Sequence, residues 1–183
     1  MKKICKQVTY NKCPELTQDE MYQLEKKCLT LLDKNYECIC EKKSRHFPVI
    51  IESISPNLDL NPDEKEYKFY LSHCGQSLGN DFGFDENNHP YLIINFDEQL
   101  SCIIYNLKKS NIKHLDMHDS GKNLCINSDN ILAVIDFGIA AVSDHFLTPS
   151  FLENRKAFGY HYYVGLKKRI AKIVKEKNLL PND

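Results

Sequence analysis

The sequence predicts an α+β fold. Three segments have apolar residues at the spacing of amphipathic helices, and shorter segments between them have the alternation or the apolar character of strands. The predicted order is strand, helix, two strands, helix, loop, hairpin and helix, which is typical of an α+β protein. With 183 residues, of which 42% are hydrophobic, the chain can form one domain or two small lobes that share a cleft.

The first predicted elements are a strand and a helix. The strand is KKICKQVTY, residues 2–10, in which apolar and polar residues alternate. The helix, residues 16–34, begins with a capping box that pairs Thr17 with Glu20. The apolar residues that recur on one face of this helix are Met21, Leu24, Cys28 and Leu31.

Two further strands and two loops are predicted next. Residues 47–54 and 66–74 have strand character, and the polar, proline-containing segment between them, SPNLDLNPDEKE, is predicted to be a loop. The segment GQSLGNDFGFDENNHP, residues 75–90, is also predicted to be a loop, with at most one helical turn.

The second half of the chain contains a predicted helix and a hairpin. Asn95 and Glu98 have the spacing of a second capping box at the start of a helix over residues 96–109. The apolar face of that helix consists of Phe96, Leu100, Ile103 and Leu107. Farther along, NLCI and ILAVID flank a polar NSDN turn at residues 127–130, which predicts a β-hairpin.

The tail, residues 162–180, is predicted to be a basic amphipathic helix. Its apolar face consists of Tyr163, Leu166, Ile170 and Ile173. Its cationic residues are Lys167, Lys168, Arg169, Lys172, Lys175 and Lys177. These cations form either a solvated face or a docking surface for an acidic partner, nucleic acid or a membrane surface.

Composition excludes several classes of protein. The formal net charge of −1 excludes a generally basic nucleic-acid binder. The eight cysteines are scattered without C-x-x-C spacing, and the nearest approach is Cys38-Ile39-Cys40, so we expect reduced, mostly buried thiols. The N-terminus lacks the apolar stretch of a signal peptide, and no apolar run reaches about 20 residues. We therefore expect a cytoplasmic protein without a membrane span.

The segment NIKHLDMHDSGKNLCI, residues 111–126, and the motif Asp136-Phe137-Gly138 concentrate the polar chemistry. Asn123 precedes Asp136 by thirteen residues, with a predicted strand, turn and strand between them. Taken without that context, His114, Asp116, His118 and Asp119 could bind a metal, because imidazole and carboxylate groups occur at close spacing. The same residues could also be ordinary polar residues in turns.

The order His114-Leu115-Asp116, Asn123 and Asp136-Phe137-Gly138 resembles the H-R-D…N…D-F-G set of the protein kinase superfamily. That resemblance implies a reaction in which ATP donates its γ-phosphate with the help of Mg²⁺. Asp116 would orient the acceptor hydroxyl and take its proton. Asp136 and Asn123 would hold Mg²⁺ through oxygen atoms, the ligands this hard cation prefers.

The resemblance extends toward the N-terminus. FYLSHCGQSL is similar to the kinase hinge, so the backbone of Ser72, His73 and Cys74 would bind adenine. Glu25, followed by leucines at positions 29 and 32, is similar to the kinase helix that bears a glutamate. Lys6 resembles the strand lysine that contacts the phosphates and pairs with this glutamate, although it could simply be an exposed strand lysine.

The resemblance implies a reduced two-lobe kinase-like fold. Residues 1–73 would form a truncated, β-rich N-lobe, and residues 74–183 a shortened helical C-lobe with the catalytic loop. The chain departs from the family at several points. No G-x-G-x-x-G motif occurs, so the lid over the phosphates is missing unless a partner supplies it. Asp116 and Asn123 are seven residues apart instead of five, and no arginine lies between His114 and Asp116. No A-P-E motif follows Asp136-Phe137-Gly138, although LTPSFLE faintly resembles an activation segment.

Three functions follow from the resemblance and its departures. The first is a protein Ser/Thr kinase that transfers the γ-phosphate of ATP to a protein hydroxyl. The second is a catalytically degenerate kinase fold, a pseudokinase, that acts as a binding or structural component of a larger assembly. The third is a small-molecule phosphotransferase, because HLDMH is similar to the H-G-D-L-H of aminoglycoside phosphotransferases and choline kinases. The reduced motifs and the richness in Lys, Asn and Ile favour a viral or mobile-element origin, which would add the virion as a location.

Overall fold

The computed structural model describes residues 3–7, 16–41, 43–54, 66–79, 91–142 and 161–181. Within these ranges the chain forms an α+β structure, which confirms the predicted fold class. The three helices are α1 (Gln18–Asn35), α2 (Phe96–Lys109) and α3 (Tyr162–Glu176). The strands are β1 (Lys3–Gln7), β2 (Ile50–Ile54), β3 (Lys68–Ser72), β4 (Gln76–Ser77), β5 (Ile112–Lys113), β6 (Leu124–Ile126), β7 (Leu132–Val134) and β8 (Ala141–Val142).

The strands form small antiparallel sheets. The first sheet has the order β1-β3-β2, and its central strand β3 pairs Phe69 with Lys6 of β1. The second sheet has the order β4-β6-β7, and β5 pairs with β8 separately. The sequence predicted β1, β2, β3 and the hairpin β6–β7. It missed β4, β5 and β8, because strands of two residues are too short to show an alternating pattern.

Helix α1 begins as the sequence predicts. The Thr17 side chain accepts a hydrogen bond from the Glu20 amide at 3.2 Å, and the Glu20 carboxylate accepts one from the Thr17 amide at 2.7 Å. These reciprocal bonds satisfy two of the amides that a helix leaves unpaired at its N-terminus. The buried residues of α1 are Met21, Tyr22, Leu24, Glu25, Cys28, Leu29 and Leu32, whereas Leu31 is only partly buried.

Helix α2 buries the predicted apolar stripe but starts differently from the prediction. Asn95 has a left-handed backbone (φ 56°) and its side chain makes no capping hydrogen bond, so the expected capping box with Glu98 does not form. Gln99, 1% exposed, instead connects the start of α2 to the hairpin. Its amide nitrogen donates to Ile94 O and Asn130 O, and its oxygen accepts from Leu132 N at 2.8 Å.

The hairpin β6–β7 has the predicted turn at residues 127–130. The Asn127 side-chain oxygen accepts hydrogen bonds from the amides of Asp129 and Ile131, both at 3.0 Å, which stabilises the turn. Both strands are fully buried. They form part of one apolar core with the inner faces of the three helices. The hairpin therefore fixes the position of the residues that follow β7.

Helix α3 closes the core with the predicted face: Leu166, Ile170 and Ile173 are buried, and Tyr163 is half-buried. None of the helices in the described ranges combines the length and the apolar composition that crossing a bilayer requires. Most of the two predicted loops, 55–66 and 75–90, lies outside the described residues, as does the LTPSFLE segment at 147–153; the described start of the second loop contains β4.

Candidate active site

Three residues predicted as site residues meet at one ammonium group. Lys6 Nζ donates hydrogen bonds to both carboxylate oxygens of Glu25, at 2.7 and 2.6 Å, and to Asp136 Oδ1 at 2.8 Å. The side chains of Lys6, Glu25 and Asp136 are 23%, 1% and 14% exposed. The interpretation of Lys6 as an ordinary exposed strand lysine is therefore wrong, because its charged end is enclosed between two carboxylates.

Separate elements bring these residues together. Lys6 lies on β1, Glu25 lies on the buried face of α1, and Asp136 follows the hairpin strand β7. Asp136 has a left-handed backbone (φ 66°), a conformation that aspartate tolerates better than most residues. This turn lets the chain leave β7 with the carboxylate at Lys6 while Phe137 enters the core, where it is 0% exposed.

The electrostatics of the cluster follow from burial and charge. Burial disfavours the ammonium form of Lys6, but the attraction of Glu25 and Asp136 outweighs it and raises the pKa of Lys6 above its usual value. Burial raises the pKa of Glu25, and Lys6 opposes this shift. When all three groups are ionised, two carboxylates share one ammonium, so the charges of these three side chains do not cancel.

The second group of predicted site residues surrounds Asp116, which is 6% exposed. Asn123 Nδ2 donates to the carbonyl oxygen of Asp116 at 2.6 Å and to its Oδ2 at 3.0 Å. His118 Nε2 lies 2.5 Å from Asp116 Oδ1. The seven-residue separation of Asp116 and Asn123 therefore still places their side chains in direct contact.

Two turns account for the longer separation. Gly121 N donates to His118 O at 3.0 Å, and Leu124 N donates to Gly121 O at 2.9 Å. Gly121 has φ 76°, a left-handed conformation that favours glycine. The two additional residues thus form a compact turn before Asn123, whose carbonyl accepts from Ile135 N at 3.0 Å.

His114 is a packed residue in this site. It is 2% exposed, its Nε2 lies 2.8 Å from Ile135 O, and its ring contacts Phe137 edge-on at 5.0 Å between centroids. Burial lowers the pKa of His114, which keeps the imidazole neutral. Within the described residues, the 114–119 segment does not bring three possible metal-ligand atoms together. The group that does so consists of cysteines elsewhere in the chain.

The sequence prediction missed the contacts of two α3 residues with this loop. Arg169 Nη1 donates to Met117 O at 3.0 Å, and its Nε lies 3.7 Å from Asp119 Oδ1. Tyr162 Oη donates to His114 O at 2.5 Å. The cationic face of the tail helix was the feature of the sequence that could have indicated the Arg169 contacts. Part of this face is directed at the loop and is not a purely solvated surface.

The predicted hinge lies between the first two sheets. Ser72 ends β3, and its N–H already donates to Val49 O at 2.9 Å, while its Oγ accepts from Val49 N. A base bound here would therefore depend on His73, which is exposed, and Cys74, which is half-buried. Gly75 follows with φ 104°, and a Cβ at this position would lie 2.1 Å from Ile126 O.

No model of a known protein family matches this chain, and no curated protein sequence matches it significantly.

Proposed function

We propose that this protein is an ATP-dependent phosphotransferase of the protein kinase type, which transfers the γ-phosphate to a Ser/Thr hydroxyl of a protein. The observation that carries the proposal is the contact of Lys6 with Glu25 and Asp136. These residues come from three elements and lie up to 130 positions apart. Under this proposal residues 1–73 and 74–183 are the two lobes, and a partner completes the phosphate lid.

The donor groups fit ATP and Mg²⁺. Lys6 is the cation for the α/β-phosphates, and Glu25 orients its ammonium group. Asp136 supplies a carboxylate for Mg²⁺. The Asn123 amide nitrogen faces Asp116, which leaves its amide oxygen as the ligand atom of that side chain. Bound Mg²⁺ would neutralise phosphate charge. Its positive charge would also lie next to Asp136 and offset carboxylate charge there.

Asp116 has the environment of a positioned base. Asn123 holds one carboxylate oxygen and His118 contacts the other. Asp116 would accept the proton of the acceptor hydroxyl as the hydroxyl oxygen attacks the γ-phosphorus. HLDMH is also similar to the corresponding segment of small-molecule kinases. The class of acceptor therefore has to be tested separately from the transfer of phosphate itself.

The test is Mg²⁺-dependent transfer from labelled ATP, with generic protein acceptors and, in parallel, aminoglycosides, choline and sugars. We expect Asp116→Asn and Asp136→Asn to lower transfer by roughly 10²–10⁴-fold, the usual contribution of such a group. The matched control is Asp119→Asn, because Asp119 is in the same loop but is 64% exposed. Equal transfer by all three variants and the wild type would contradict the proposal.

A second candidate, a nucleotide-binding pseudokinase, is favoured by the engagement of both Asp116 oxygens in contacts within the protein. Such a module binds Mg-ATP without transferring phosphate. A thermal-shift measurement separates the two: stabilisation by Mg-ATP that Asp136→Asn abolishes, without any transfer, would favour the pseudokinase.

A further inference from the structure

Two cysteines that are close in the sequence meet a distant third one near the end of α1. Cys38 and Cys40 lie in the segment that follows α1, and Cys102 lies on α2. Their sulfur atoms all lie within 4.8 Å of one another, and the Sγ atoms of Cys38 and Cys40 are 3.1 Å apart. Cys40 and Cys102 are buried and Cys38 is half-buried. The seven cysteines in the described part of the chain are free and four of them are buried, as predicted, but the sequence did not indicate that these three would meet.

A histidine borders the same cluster. His46 is 0% exposed, and its Nε2 lies 3.4 Å from Cys40 Sγ. Its Nδ1 lies 2.7 Å from Leu132 O, a carbonyl that can only accept a hydrogen bond. The proton is therefore on Nδ1, and Nε2 presents its lone pair to the sulfur cluster. A histidine that ligates a metal commonly has this arrangement, with its second nitrogen bonded to a backbone carbonyl.

We propose that Cys38, Cys40, Cys102 and His46 bind a structural Zn²⁺ ion. Three cysteines and one histidine are a common ligand set of closed, tetrahedral zinc sites. Zn–S bonds of about 2.3 Å and Zn–N bonds of about 2.0 Å separate neighbouring ligand atoms by roughly 3.5–3.8 Å. The Cys40–His46 separation of 3.4 Å is close to that range. To form the tetrahedron, the side chains would rearrange so that the Cys38 and Cys40 sulfurs move apart and His46 Nε2 and the three sulfurs surround the ion, and each thiol would release its proton on binding.

The surroundings of Cys102 support a metal ligand. Asn106, one turn farther along α2, is 1% exposed, and its Nδ2 lies 3.6 Å from Cys102 Sγ. The same nitrogen donates to Glu37 O at 2.9 Å, which fixes the start of the cysteine segment against α2. Its second N–H donates to Cys102 O at 2.9 Å and is shared with the Cys102 sulfur, so it places partial positive charge beside a thiolate. A disulfide would leave one of the three sulfurs unpaired and would give His46 no role.

The ion would connect three elements. It would attach the segment after α1 to α2 through Cys102, and to the hairpin strand β7 through the bond from His46 to Leu132. This role is structural and does not depend on the proposed phosphotransfer activity. Loss of the metal and loss of the proposed activity can therefore be measured separately.

The test measures bound metal in the full chain, purified under reducing conditions without chelators. We expect about one zinc ion per chain by elemental mass spectrometry, and at least a tenfold lower content in Cys102→Ser and His46→Leu. Cys5→Ser and Cys74→Ser are the matched controls, because neither cysteine belongs to the cluster, and both should retain the metal.

A second measurement remains decisive if those variants do not fold. Wild-type protein stripped of zinc and titrated with Co²⁺ should show thiolate-to-cobalt charge-transfer absorption. Asn106→Ala, which retains all four ligands, should weaken zinc affinity about 10–100-fold. The proposal is overturned if the wild type binds less than a tenth of an ion per chain after zinc supplementation. It is also overturned if peptide mapping of the native protein finds a disulfide among the three cysteines.

Discussion

The Lys6→Met variant tests the charge cluster most directly. The substitution replaces the ammonium group with a methyl group of similar reach and leaves Glu25, 1% exposed, next to Asp136 without its cation. Removing one partner of a buried ion pair typically costs 3–5 kcal/mol. Because Lys6 is 23% exposed, water offsets part of that loss, and we expect the lower end, about 3 kcal/mol at neutral pH. For a chain of this length, that corresponds to a fall in Tm of roughly 6–12 °C.

The loss of stability in Lys6→Met should depend on pH. Burial already raises the pKa of Glu25 above its usual value of 4.5, and removal of Lys6 raises it further. The folded variant then binds more protons than the unfolded chain, so its stability falls as pH rises above 4.5 toward the raised pKa. We expect the full destabilisation above that raised pKa and a progressively smaller one as pH falls toward 4.5.

The assay is urea unfolding of four proteins: wild type, Lys6→Met, Glu25→Gln and the double variant. If Lys6 and Glu25 interact, the double variant should lose less stability than the sum of the two single losses. The difference, the coupling energy, should be about 1–3 kcal/mol. Lys3→Met is the matched control, because Lys3 is an exposed lysine on the same strand, with its ammonium group 5.0 Å from the centre of the Tyr70 ring. A Lys6→Met variant as stable as Lys3→Met, or strict additivity in the cycle, refutes the reasoning.

Three further substitutions, the first with a matched control, test the contacts that position the site. Gly75→Ala should destabilise the fold by at least about 2 kcal/mol in urea unfolding, because φ is 104° and the new Cβ would meet a carbonyl oxygen of β6. The matched control is Gly165→Ala, in open space on α3, which should stabilise the fold by about 0.5–1 kcal/mol. Gln99→Leu should cost about 1–3 kcal/mol, since it leaves the buried Leu132 N–H unpaired and removes two part-buried hydrogen bonds, and unchanged unfolding would contradict that account. Arg169→Ala should change global stability by under about 1 kcal/mol yet accelerate hydrogen exchange in residues 115–123, and unchanged exchange would show that this contact does not order the loop.

The helices could be predicted because their burial follows the sequence period. In α1 and α2 the apolar residues at helical spacing are the residues that pack into the core, as at Leu24 and Leu100. The start of α2 shows the limit of this reasoning. Asn95 has the residue type and spacing of a cap, but the chain arrives there in a left-handed conformation that directs its side chain away from the helix amides. Backbone direction at a helix start depends on tertiary packing, which local sequence does not specify.

The candidate site could be predicted in its members but only partly in its geometry. The motif pattern selected Lys6, Glu25 and Asp136, and the structure brings all three together. It did not indicate that Asn123 contacts Asp116, because this contact depends on how two turns fold the additional residues. The sulfur cluster could not be found this way either. Cys102 is 62 residues beyond Cys40, and only the packing of α2 against the segment after α1 brings them together.

The charge cluster and the sulfur cluster are connected through β7. His46 contacts this strand twice: its Nδ1 bonds to Leu132 O, and its carbonyl accepts from Val134 N at 2.9 Å. Asp136 follows Val134 by two residues, and Glu25 lies on the helix that leads into the cysteine segment. Both carboxylates that share Lys6 are therefore connected to the sulfur cluster. Glu25 is connected through the chain that follows α1, and Asp136 is connected through the hydrogen bonds of β7 to His46. A zinc ion bound there as proposed would restrain α1 against the hairpin, and it would therefore limit how far Glu25 can move from Asp136.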